Sequence, residues 1–274
     1  MGKRFHPDSA PEFCVIAPTE YIALFAAHSN THLVLAHIVD TDDAYAAIYH
    51  RFSESGHKII MDNGAFELGE SYAPERLIEL GKKCGAHALV LPDYPGQPGT
   101  KTIEAADAII DQVIDAGFET MFVPQSEVGE FEDWVSCYQW AADNPDIDII
   151  GMSILGIPNA LPEVHRGYAR VVMSSILLDR DIAGDKYHHY LGLNSGPALE
   201  IPSLIHMGML NSCDSSGPVW AAICGHEYSY NADSYQYVSK IKKAVDFNYP
   251  YRHDDIALTM RIEHNLRMTK ALFQ

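Results

Sequence analysis

Short apolar, β-branched runs recur along the chain, each followed by a polar loop and then a stretch with helical spacing. The runs are 13–17, 32–39, 58–62, 87–93, 120–125, 147–153, 188–193 and 208–214, which predicts eight strands. Continuous apolar strands belong to parallel sheets buried on both faces. Between them the spacing predicts helices over 20–29, 43–54, 73–85, 101–116, 131–142, 160–182 and 197–207. Thr19 is a candidate cap for the first, and Thr41 or Asp42 for the second. The third has a proline near its first turn and ends at a glycine. Ile103, Ala106, Ile110, Val113 and Ile114 share one face of the fourth. Eight strand–helix units predict an α/β fold, a (β/α)8 TIM barrel. A doubly wound open sheet is the alternative, but no GxGxxG follows a strand to make it a dinucleotide site.

The pattern changes after Asp214. We expect the barrel over 1–225 and a helical, Tyr/Lys-rich C-terminal extension over 226–274 packed on it. Helices are expected near 233–246 and 254–272. Residues 226–252 hold six of the fifteen tyrosines, interleaved with Lys240, Lys242 and Lys243. Aromatic rings among cations suit stacking on bases and pairing with phosphates. Lys240, Lys242, Lys243 and Tyr235 are therefore candidate nucleic-acid contacts; a packed hairpin or helix face is the other reading.

Charge sharpens this division. The net charge of −18 argues against a nucleic-acid partner, because phosphates repel an acidic surface. Residues 240–274 nevertheless carry a net +3, which leaves −21 on the rest, so the objection applies to the body and not to the tail. A nucleic-acid substrate would need a basic track, formed by the tail with Lys101, Arg166, Arg170, Arg180 and Lys186 near the mouth. A hydrophobic content of 47% excludes a mainly disordered chain. No apolar run approaches the roughly 18 residues that span a bilayer, so no membrane partner is expected. The first residues lack the apolar core of a secretory signal. Five scattered cysteines with no CxxC pair point to a reducing, cytoplasmic setting.

In a barrel the chemistry sits at the C-terminal strand ends. Those ends read Asp62-Asn63-Gly64, Pro92-Asp93, Pro124-Gln125, Gly151-Met152-Ser153, Leu191-Gly192 and Cys213-Asp214. Paired carboxylates suit displacement at a sugar anomeric carbon, one attacking while the other moves a proton. Carboxylates facing a planar base can also accept from its N–H donors. Each residue has a plainer reading as well. Asp62 precedes an Asn-Gly turn signal, Asp93 suits an Asx-turn, Asp214 suits a cap, and Gln125 suits a surface amide. Among the fourteen histidines, His32 opens a strand rather than joining His28 on a helix, and His188 and His189 face opposite ways. Cys213, on alternation, points away from Asp214's side of its strand. We expect no metal and no cofactor.

The segment MDNGAFE (61–67) resembles the SDSGGFQ motif of tRNA-guanine transglycosylases. Further similarities follow in order. Asp93 in LPDYP sits where that family has a base-reading aspartate. Gln125 in FVPQ resembles the glutamine of VQGG. Gly151 in GMSILGIP resembles GGLAVGE, Tyr190-Leu191-Gly192 resembles the LMGVG strand end, and Asp214 in NSCDSSGPVWAA resembles the nucleophile of FDCVxPTR. The family's zinc site, a CxCxxC with a downstream His, is missing, since Cys224 is the only cysteine after Asp214. A short, zinc-less chain resembles the phage-type DpdA proteins, which exchange guanine for a 7-deazaguanine in DNA.

The resemblance implies a pentosyltransferase. Asp214 would be the nucleophile at C1′ and Asp62 the general acid/base. Asp93, Gln125, Gly151, Ser153, Gly192 and Phe66 would bind the base. It implies DNA as partner, its guanine flipped or single-stranded, and a 7-deazaguanine such as preQ0 as incoming base. A phage-encoded protein would act in the host cytoplasm. Monomer and homodimer both stay open, because the zinc part that helps build the family's interface is missing. A zinc-less tRNA enzyme, a non-catalytic binding subunit and an ordinary glycoside hydrolase barrel are the rival readings.

Overall fold

The computed structural model describes residues 3–194, 196–229, 241 and 243–274, without the side chains of Phe66 and Glu67. The chain runs β1 (Glu12–Val15), α1 (Thr19–Phe25), β2 (Thr31–Val34), α2 (Ala36–Thr41), α3 (Asp43–Glu54), β3 (Lys58–Met61), α4 (Ala65–Leu68) and α5 (Pro74–Cys84). It continues with β4 (Ala88–Val90), α6 (Gly99–Asp107), α7 (Ile110–Asp115), β5 (Glu119–Phe122), α8 (Phe131–Asp143), β6 (Ile149–Gly151), α9 (Gly156–Ala160) and α10 (Arg166–Asp179). Then come β7 (Tyr187–Tyr190), α11 (Pro197–His206), β8 (Ser212–Ser215), α12 (Gly217–Ile223) and α13 (Ile256–Lys270). All the ladders are parallel, and they run from β1 through β8, β7, β6, β5, β4 and β3 to β2. The two end strands, β1 and β2, pack side by side, so the sheet is a nearly closed (β/α)8 barrel.

The sequence pattern explains this architecture. β4 and β6 are buried at every position, as strands covered by side chains in the lumen and by helices outside must be. The predicted run 32–39 breaks after Val34: Leu35 N–H leaves the ladder to donate to the Tyr45 hydroxyl at 3.2 Å, and α2 starts. The stretch 101–116 is two helices, divided at Ile109, and 160–182 contains a short α9 and a long α10. Asp42 caps α3 by accepting from Ala44 and Tyr45 N–H at 2.9 and 3.1 Å. Thr19 does not cap α1; its hydroxyl donates to Asp42 instead, at 2.8 Å.

The end of the chain belongs to the same core. Leu258, Ile262 and Leu266 of α13 are buried with the barrel's apolar residues. Asn265 accepts from Tyr228 N–H at 2.7 Å and donates to the Pro218 and His226 carbonyls, tying α13 to α12. Lys270 donates to the His28 carbonyl, and Phe273 packs on Phe13 of β1. Tyr249 and Tyr251 pack against Tyr21, and Tyr249 also against Trp220. These two rings serve packing rather than an open stacking platform. Of the helix expected near 233–246, residues 241 and 243–246 are not helical and the rest lie outside the described residues. No helix among the described residues is long and apolar enough to cross a membrane.

Gly85 ends α5 at φ +70°, and a Cβ there would lie 2.9 Å from Ser53 Cβ. Gly85→Ala should cost about 1–2 kcal/mol for the left-handed backbone alone. At about 2–4 °C per kcal/mol, thermal denaturation resolves this loss. Gly129→Ala, at φ +86° with open space around it, should lower Tm less.

Candidate active site at the C-terminal strand ends

Because every strand runs the same way, the residues after β3, β4, β5, β6, β7 and β8 gather at one mouth. Two clusters form there. The first lies after β3, β4 and β5. Asp93 is 9% exposed and its carboxylate is held by two amides. Asn63 Nδ2 donates to Oδ1 at 2.8 Å, and Gln125 Nε2 donates to Oδ2 at 2.7 Å. Asn63 is itself fixed, since Nδ2 also reaches the Leu91 carbonyl and Oδ1 accepts from Ala65 N–H, both at 2.8 Å. Gln125 is 1% exposed, and its Oε1 is buried with no hydrogen-bond partner among the described residues. Burial pushes the Asp93 carboxyl above its ordinary value, against the pull of the two amide donors. Asp62 lies next to this cluster in the chain, half-buried, with Oδ2 accepting from Gly64 N–H at 3.2 Å.

The second cluster spans β7 and β8. Asp214 is 5% exposed. Its Oδ1 accepts from Gly192 N–H at 2.9 Å and bonds His189 Nε2 at 3.1 Å. No donor to Oδ2 is found among the described residues. His189 Nδ1 in turn bonds Ser212 Oγ at 2.6 Å. A carboxylate acceptor requires the proton on Nε2, which leaves Nδ1 to the serine hydroxyl in the neutral ring. The order Ser212–His189–Asp214 looks like a hydrolase relay, but Ser212 is fully buried, two residues below Asp214 on β8. The least buried member of the chain of bonds is the carboxylate. Cys213 is no rival nucleophile, because burial raises its thiol well above the ordinary value.

Other expected positions have structural work. Gly151 is small because a Cβ would lie 2.6 Å from Met121 Cε and 2.8 Å from Val123 Cγ2. Ser153 Oγ accepts from Leu155 and Gly156 N–H at 3.2 and 3.0 Å, shaping the start of α9. Gly192 stands at φ +75° and contributes its N–H to Asp214. Phe66 lies in α4, with its side chain outside the described residues, as are Lys240, Lys242 and Tyr235. Lys243 is exposed, with its ammonium 5.3 Å from the centre of the Trp220 ring. His188 points outward to the Tyr138 hydroxyl at 2.7 Å while its neighbour faces Asp214, as alternation requires. No cluster of three metal-ligating side chains is found among the described residues.

Three participants escape a reading of the sequence: Asn63, His189 and Arg170. Asn63 and His189 are legible there only as a turn residue and as one of a histidine pair. Arg170 groups with Lys101, Arg166, Arg180 and Lys186 as a track of cations near the mouth. The structure dissolves that track. Arg170 is 1% exposed and paired with Glu200. Arg180 follows the C-terminus of α10 and pairs with Glu132. Lys186 sits before β7 and donates to the Asn144 and Ile147 carbonyls. Helices descend from the mouth, so these last two lie at the opposite end, and only Lys101 and Arg166 remain on the mouth side. Neither a comparison with protein-family models nor one with curated proteins gives a match for this chain.

Asp93 carries a testable cost. A carboxyl whose folded value is raised contributes stability below its ordinary value, and that stability is lost as pH rises through the raised one. Burial of this carboxyl therefore weakens the fold as pH rises. Asn at this position can accept from Asn63 and, with Gln125 turned over, pair with it too. Asp93→Asn should leave Tm unchanged or raise it by about 2–4 °C at pH 7, the shift given by about 1 kcal/mol. The gain should vanish in acid. A marked fall in Tm at pH 7 would show that the charge is a structural asset.

Proposed function

We propose that this protein exchanges guanine in DNA for a 7-deazaguanine of the preQ0 type through a covalent glycosyl-aspartate. The observation that carries the reading is the division of labour between the two clusters. Asp214 is a carboxylate with one oxygen fixed by two donors and the other without one among the described residues, an arrangement suited to attack at carbon. The buried Asp93 carboxyl and Gln125 Oε1 are acceptors just past β4 and β5, the type of group this reading assigns to a ring that presents N–H donors. Guanine presents such donors at N1 and at its 2-amino group. Gln125 gives one of its two amide hydrogens to Asp93, which fixes the side chain beside that carboxyl.

In this mechanism Asp214 Oδ2 forms a bond to C1′ as the bond from C1′ to N9 of guanine breaks. Asp62 gives a proton to the departing base. The incoming deazaguanine then loses its ring N–H proton to Asp62, and its nitrogen displaces Asp214 from C1′. Two displacements restore the original configuration. One glycosidic bond replaces another, so no external energy source is needed. The strand-end motifs resemble those of guanine transglycosylases, and the stretch after Asp214 holds Cys224 as its one cysteine and so no CxCxxC, which favours DNA as the polymer. Its target nucleotide must leave the stack to reach a barrel mouth, which costs a few kcal/mol.

Purified protein is incubated with preQ0 and either guanine-containing DNA or tRNA, and the nucleosides are identified by mass. A deazaguanine deoxynucleoside is expected from DNA, none with Asp214→Ala, and a rate about 10²–10⁴ lower with Asp62→Asn. Product from tRNA alone would move the substrate to RNA. Base binding without exchange in either polymer would make this a binding subunit. The tail has its own test. Lys240, Lys242 and Lys243 changed together to Ala should weaken DNA binding and flatten its salt dependence, the slope falling by about 0.9 for each phosphate no longer neutralised.

A further inference from the structure

Arg170 and Glu200 form an ion pair sealed between α10 and α11, 1% and 0% exposed. The pair is bidentate, with Nε to Oε1 at 2.8 Å and Nη2 to Oε2 at 2.7 Å. The remaining guanidinium hydrogens go to backbone carbonyls at the ends of β6 and β7. Nη1 donates to the Met152 and Leu191 carbonyls at 3.2 and 3.0 Å, and Nη2 donates to the Gly192 carbonyl at 2.7 Å. Burial opposes the guanidinium's charge, and the Glu200 carboxylate outweighs it, holding the group above its ordinary value.

One of these carbonyls matters most. Leu191 C=O and Gly192 N–H are two ends of the same peptide, and that N–H donates to Asp214 Oδ1 at 2.9 Å. A peptide is planar, so holding the oxygen sets the direction of the hydrogen. A cation on the oxygen also polarises the N–H into a stronger donor. We propose that Arg170 is a positioning residue for Asp214, acting through the peptide between Leu191 and Gly192. Its catalytic consequence rests on the reading of Asp214 as nucleophile; its effect on the peptide does not.

The geometry shows why a relay is used. A guanidinium in direct contact with Asp214 would form a bidentate pair and occupy both carboxylate oxygens. One peptide away, it engages Oδ1 only. Glu200 completes the pair, so no bare cation is left buried. Gly192 at φ +75° supplies the turn that lets its N–H face Asp214 while its carbonyl returns to Arg170.

The test is Arg170→Met combined with Glu200→Leu, which removes both charges together and spares the fold the cost of leaving one behind. Leu191 and Met152 carbonyls keep their backbone donors, Ile154 and Leu191 N–H, each at 3.2 Å. The readout is amide hydrogen exchange at Gly192. Labelling leucine carbonyls with 13C and glycine nitrogens with 15N leaves four Leu–Gly junctions, at 68–69, 80–81, 155–156 and 191–192. Asp214→Asn identifies the Gly192 signal by moving it. In the double variant Gly192 should exchange about tenfold faster or more, while Gly81 in α5 stays unchanged. Base exchange should fall about 10–100-fold in kcat with little change in KM.

Arg170→Lys, which keeps a cation but not the fork, should lie between the two on both readouts; it is also the variant measured if the double one does not fold. Unchanged Gly192 exchange overturns the proposal, and so does equal acceleration at Gly192 and Gly81, which would mark general loosening. If the wild type shows no base exchange, the transglycosylase reading fails, and the amide measurement still decides the positioning role.

Discussion

A carboxylate buried in a protein stays charged only if donors take the place of water, and the nature of those donors decides what it can do. At this mouth they carry no permanent charge of their own. Asp93 is held by two side-chain amides, and Asp214 by a peptide N–H and an imidazole. Directional donors fix each oxygen without cancelling the charge in a tight ion pair. The buried cation nearby, Arg170, is spent on Glu200 and on carbonyls, so it organises the backbone around Asp214 and does not pair with it. Replacing either arrangement with a direct salt bridge would stabilise the carboxylates and make them poorer as acceptor or nucleophile.

The same constraint ties the site to the fold. A parallel barrel brings all the strand ends to one side, but a strand ending positions only a Cα. Orientation comes from the turns that follow, and here each turn is built from backbone N–H groups that the strands no longer use. Gly64 N–H turns back to Asp62, Ala65 N–H to Asn63, Gly192 N–H to Asp214. The helices then lock these turns from outside: α10 and α11 through Arg170 and Glu200, α9 through Ser153. The last helix closes the outer layer and brings the end of the chain back to β1. Stability and site geometry share the same hydrogen bonds, so substitutions behind the mouth should be felt within it.

Much of this is legible in the sequence, and the limits have physical causes. Eight strands are readable because full burial forces continuous apolar runs. Helix boundaries blur where one apolar spacing serves two short helices, as at Ile109. Asp62, Asp93, Gln125 and Asp214 can be placed because each ends a strand. Their partners cannot, since the bond from Asn63 to Asp93 spans 30 positions and that from Arg170 to Glu200 as many. Arg170 shows the failure most clearly. A sequence shows charge and not depth, so a buried guanidinium groups with surface cations. Histidine alternation on β7 gives the right geometry, but which face holds a partner depends on β8.

The acidic body bears on how such a site would choose its substrate. With Arg170, Arg180 and Lys186 removed from the mouth, few described cations remain there to hold a phosphate backbone. On the proposed reading, selectivity then falls to the groups that would meet the base. There the buried Asp93 carboxyl and the unpartnered Oε1 of Gln125 would set the terms. A base with N–H donors at the right positions satisfies both groups. A base without them would leave buried acceptors unsatisfied, a difference that can reach about 10⁴–10⁵ in discrimination, on the order seen when a buried polar site loses its partner. A pocket that is costly when empty is selective when filled, because the wrong ligand inherits the whole of that cost. In a protein with an acidic surface, this would be the stronger source of specificity on the proposed reading.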